Sequence, residues 1–161
     1  MEKVYRQGAT GALLDEYEKA VNELLLCIAG IPDAALVVVV DPVTQNPDCR
    51  SVQTVLSHVV SSMYSYAAYI HRSKGHDYTK PEKTLHTAVN NYRADLEDAF
   101  RFTTTVFNDI KDNELEQPEH AKKMLTGWGQ VYDIEQLMEH AIVHILRHRR
   151  QIEKMKLLLA V

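Results

Sequence analysis

A chain of 161 residues, 45% hydrophobic and 25% charged, can bury a core of its own and excludes a disordered or low-complexity class. Its 18 Lys and Arg against 22 Asp and Glu give a formal net charge of −4, which argues against a broad phosphate-binding surface and hence against nucleic acid as a partner. Cys27 and Cys49 form no CxxC pair or disulfide framework, the first residues lack a signal-type apolar core, and no run reaches the roughly 18 apolar residues of a membrane span, so one cytoplasmic domain over residues 1–161 without a membrane partner is expected.

Residues 13–29 carry Leu14, Tyr17, Val21, Leu24, Leu25 and Ile28 at three- and four-residue steps, the period of a first helix, closed by Gly30 and Pro32. Residues 35–40, Ala-Leu-Val-Val-Val-Val, have strand composition but no second strand-like run to pair with. They are expected to form an extended connector packed on the helices, followed by turns at Asp41-Pro, Asn46-Pro and Asp48.

Ser51 is the expected N-cap of a second helix running to residue 73, with Val52, Leu56, Val59, Met63, Ala67 and Ile70 on its stripe. His58 lies roughly 120° from the middle of that stripe, so periodicity alone makes it a rim residue. A third helix is expected over residues 84–112. His86 is off its stripe and His71, His76 and His120 are in or beside connectors, so all four read as surface histidines. Residues 113–132, with Pro118, Gly127 and Gly129, are expected to form a connector with one short helical turn near 119–125, anchored by Trp128.

The fourth helix, capped by Asp133, holds the chemistry. Ile134, Leu137, Met138, Ala141, Ile145, Ile152 and Met155 form one apolar stripe, and His144 and His148 fall on it. Residues four apart on a helix differ by roughly 40° in direction and about 6 Å in rise, so two imidazoles can reach a common point, as metal ligands do. The bland alternative is a pair of core histidines satisfied by hydrogen bonds, which is awkward for four ring nitrogens on an apolar face. His140, at the edge of the stripe, is expected to flank the site and not to ligate. Four amphipathic helices with no paired strands point to an all-α four-helix bundle with long connectors.

The segments Ser51-Val-Gln-Thr-Val-Leu-Ser-His58 and His144-Ile-Leu-Arg-His148-Arg-Arg-Gln-Ile resemble the two histidine motifs of the DinB/YfiT-like superfamily. The second is similar to that family's closing His-x-x-His-His-Arg-Gly-Gln, with Arg147 where an extra histidine is frequent and Arg150 where glycine is frequent. The resemblance implies an up-down-down-up bundle, often homodimeric, with His58, His144 and His148 as the metal ligands. Three histidines leave a coordination position open, and all-imidazole ligation suits zinc or nickel, with iron also possible. Gln151, Glu139 and Tyr66 are candidates to support the ligands. By resemblance, the activity expected is that of an enzyme activating a low-molecular-weight thiol or water, a thiol-dependent transferase or a hydrolase acting on a small molecule. The alternatives are a non-catalytic metal-binding or stress-response protein, and an interaction bundle with incidental histidines.

Overall fold

The computed structural model describes residues 4–161, and it is mostly helical. The described residues form five α-helices: α1 (Gly8–Ile28), a single turn α2 (Asp33–Leu36), α3 (Val52–Ser73), α4 (Val89–Phe107) and α5 (Ile134–Leu159). The four long ones share one core, with α1 against α4 and α5, and α3 against the same two. Leu24, Ile28, Leu56, Met63, Leu96, Leu137 and Ile145 are fully buried there. Burying each such side chain contributes about 1.5–3 kcal/mol, which is what the apolar periodicity of these segments encodes. No helix among the described residues is long and apolar enough to cross a membrane.

Helix ends are set by specific side chains. Ser51 caps α3 and Asp133 caps α5, each in a reciprocal capping box, with Thr54 and Gln136 respectively. Two other helices are capped from a distance. The Asp112 carboxylate accepts from Ala9 N and Thr10 N at the start of α1, at 3.0 and 2.9 Å, and from the Thr10 hydroxyl at 2.8 Å. Those bonds hold the Asp112 carboxyl below its usual range. Gly8 sits at φ 78°, where a Cβ would meet this carboxylate. Asp33 of α2 likewise accepts from Val89 N, at 2.8 Å, where α4 begins.

Three local expectations are corrected. The third helix starts at Val89 instead of 84 and ends at Phe107 instead of 112. The Ser57 hydroxyl donates to the Thr84 carbonyl at 2.7 Å and the Gln53 amide to the His86 carbonyl at 2.9 Å, so residues of α3 claim acceptors that a helix would have used. At the other end Asp112 is committed to α1. Residues 35–40 are not extended throughout. Ala35 and Leu36 are buried in α2, and the half-exposed Val37, Val38 and Val39 follow it.

The third correction concerns the connector before α5. A short 3-10 turn (His120–Lys122) is followed by a two-stranded antiparallel hairpin, β1 (Met124–Leu125) and β2 (Val131–Tyr132). Gly129, at φ 87°, permits the reversal, and Thr126 N donates to the Gln130 carbonyl at 2.9 Å. The Tyr69 hydroxyl accepts from Gly127 N at 2.6 Å and fastens the hairpin to α3.

Candidate metal centre

His58 lies in the second turn of α3, and His144 and His148 lie mid-way along α5, which packs against α3. The fold brings all three together: one nitrogen from each lies within 4.8 Å of the others. His144 Nε2 is 3.0 Å from His58 Nε2 and 3.2 Å from His148 Nε2. Two nitrogens bound at 2.0–2.1 Å to one tetrahedral ion stand roughly 3.3 Å apart, so these spacings suit a shared cation.

The remaining ring nitrogens decide what the cluster can accept. His58 Nδ1 faces Asp48 Oδ2 at 3.2 Å, and His148 Nδ1 donates to Gln151 Oε1 at 2.8 Å. With their Nδ1 protons held there, both rings present Nε2 lone pairs toward His144. His144 Nε2 carries one proton at most and can satisfy one of them. Its own Nδ1 is buried without a partner among the described residues. Protons alone therefore leave lone pair against lone pair in a buried place, whereas a cation can accept all three. The donor set fits a metal ion.

Electrostatics act in the same direction. Burial lowers the pKa of all three histidines, and His144 is pushed down to about 3, first by burial and then by repulsion from His148, His58, His140 and Arg147. The rings are thus held neutral, the form that ligates. For His58 the neighbouring Asp48 works against burial without reversing it.

Among the residues expected to support the site, Gln151 bonds His148, and Tyr66 meets the His144 ring edge-on at 5.6 Å. Glu139 lines an adjoining groove and has no bond to the cluster histidines among the described residues. His140 flanks the cluster, its ring 6.3 Å from that of His144. Trp128 stacks on His140 at 5.5 Å and meets Tyr66 and Tyr69 edge-on. His86, expected at the surface, is largely covered and lies 2.6 Å from Asp95.

Sequence reasoning missed Asp48 as a partner of the site and Lys83 as the partner of Asp48. The former sits in a 3-10 turn (Pro47–Cys49) before α3 and the latter in the connector after it. Neither stands at a helical spacing from His58. The only available signal was chemical, since a ligating histidine usually donates its other nitrogen to a carboxylate.

Helical packing with three convergent imidazoles from two helices defines a helical protein with a candidate metal centre. A family model described as DinB family matches residues 7–156, nearly the whole chain. The chain belongs to the DinB family. Comparison with curated proteins gives no match.

Proposed function

We propose that His58, His144 and His148 bind one divalent transition ion, zinc or nickel before iron, and that the protein is an enzyme activating a low-molecular-weight thiol or a water toward a small-molecule substrate. A thiol-dependent S-transferase or a hydrolase is the corresponding reaction class. The carrying observation is the convergence of three Nε2 atoms while Asp48 and Gln151 take the distal nitrogens of two rings.

A bound ion of this kind would supply Lewis acidity, lowering the pKa of a coordinated water or thiol toward neutrality. The chain's own residues do the rest. Asp48 and Gln151 orient two imidazoles, and Lys83 neutralises Asp48 so that the pair adds little net charge. Burial keeps the rings free of protons, and three protein ligands leave a position for an exogenous one. A groove of about 470 Å³ opens onto His144, which favours catalysis over a metal-holding or stress-response role. An interaction bundle with incidental histidines would have no use for oriented distal nitrogens.

The proposal extends to the architecture: one domain, an up-down-down-up four-helix bundle, homodimeric and cytoplasmic. The ring of contacts among α1, α5, α3 and α4 supports the bundle, and the DinB family membership supports the helix order. Elemental analysis of the purified, untagged protein beside His58→Ala tests the centre. About one ion per chain in the parent and much less in the variant is expected. No uptake by the parent after incubation with zinc and with nickel would sink the reading.

A further inference from the structure

The groove beside the centre carries a charge pattern that the metal site alone does not require. It runs along α5 and is lined by Val131, Tyr132, His140, Val143, His144 and Arg147, with Glu139 at its other end. Its volume of about 470 Å³ lies within the range of small-molecule sites, which run to roughly 300–1,000 Å³. Val143 is 59% exposed although apolar, and with Val131 it gives the groove an unpartnered hydrophobic wall.

The Arg147 side chain has no ion pair or hydrogen bond among the described residues, as is also true of those of Arg50, Arg93 and Arg150, but Arg147 is the arginine that lines this groove. Its charge is close enough to act on His58, His144 and His148 alike. Three neutral imidazoles would leave the charge of an ion uncompensated, and Asp48, beside His58, is already paired with Lys83. Arg147 makes this end of the groove cationic, and an ion held by the three histidines would add to that charge. Glu139 stands two turns back on α5, about 12 Å in rise, so the two ends of the groove differ in sign.

Between them His140 is held in one orientation. The Tyr132 hydroxyl donates to Gln130 Oε1 at 2.5 Å, and the Trp128 indole donates to the same oxygen at 2.8 Å. With its proton committed, the Tyr132 oxygen accepts from His140 Nδ1 at 3.2 Å. His140 Nε2 is left as an acceptor without a protein partner among the described residues, on a ring clamped by Trp128 and Tyr66.

We propose that this groove binds a small organic carboxylate, with its anionic end at Arg147, its apolar body on Val131 and Val143, and its hydrogen-bond donor at His140 Nε2. The proposal names the substrate class for the metal-dependent reading and rests on it for the reaction, but the anion contact belongs to Arg147. Position 147 then selects charge, and the aromatic clamp on His140 selects the orientation of the ligand.

Titration calorimetry of zinc-incubated protein with 4-hydroxybenzoate and with 4-hydroxybenzamide, alongside metal analysis of the same samples, tests this. The acid is expected to bind about tenfold tighter than the amide, the scale of one charge-assisted contact. Arg147→Gln should erase that difference at unchanged metal content. His140→Phe, which keeps a ring in the clamp, should lower affinity for 4-hydroxybenzoate to that for benzoate. Equal binding of acid and amide by the parent overturns the proposal, as does an Arg147→Gln variant that binds the acid as well as the parent does. Arg147-dependent acid binding in a parent that takes up no metal would uphold the groove and remove the metal reading instead.

Discussion

Two groups of histidines in this protein have rings equally near and unequal chemistry. His71 and His76, at the end of α3 and just beyond it, stack with ring centres 4.6 Å apart and planes 23° apart. His144 and His148 have centres 4.4 Å apart but planes at 69°, and His58 stands 5.0 Å from each of them. Imidazole lone pairs lie in the ring plane, so near-parallel stacked rings direct theirs side by side, whereas tilted rings can aim at one point. The distal nitrogens differ too. His76 reaches Asp109 at only 4.0 Å from a half-exposed position, while Asp48 and Gln151 hold two rings of the other group under partial burial. Proximity of histidines is thus a poor criterion for a metal centre; convergence with oriented distal nitrogens is a better one.

The comparison breaks most sharply at His144, which makes both short Nε2 contacts. His144→Ala is expected to abolish stoichiometric metal by elemental analysis, and a variant retaining one ion per chain would show that the other residues suffice. Next in size is Asp48→Asn. Loss of the carboxylate behind His58 should weaken metal affinity by about 10–100-fold in a competitive chelator titration. Unchanged affinity would make that contact incidental.

A smaller effect is expected from pH. Burial depresses the pKa of the three clustered histidines, so in metal-free protein the unfolded chain takes up protons first as pH falls. Stability is therefore intact above about 6.5, the ordinary histidine value, and is lost progressively as pH falls toward the His144 value of about 3. Thermal melts of stripped protein should show Tm falling over this window, less steeply in His144→Ala than in the parent; equal slopes would assign the loss to carboxylates elsewhere. The smallest effect belongs to the control pair. His71→Ala combined with His76→Ala should leave metal content unchanged, and a loss there would place the ion at the other end of α3.

Legibility followed the range of the interaction. The apolar stripes of α1, α3 and α5 are visible as period, because each helix buries one face, and the caps Ser51 and Asp133 lie one residue before helices they start. His144 and His148 were legible as a pair because four residues on one helix is itself a geometry. His58 was not, since its wheel position describes only its own helix. It entered through a motif resemblance, and what gathers it with the other two is the packing of α3 on α5.

By itself the sequence determined the helical class, both ends of α3 and the start of α5, the DinB resemblance and the facing of one histidine pair, while α1 began five residues earlier than its period indicated. Tertiary structure decided what depends on distant partners. It delayed the start of α4 through bonds from Ser57 and Gln53, turned 124–132 into a hairpin held by Tyr69, and brought Asp48 behind His58. It also left Arg147 without an ion pair among the described residues, beside the groove. The physical reason is common to all of these: a side-chain hydrogen bond or ion pair depends on position in space, and separation along the chain does not encode that position until the helices have packed.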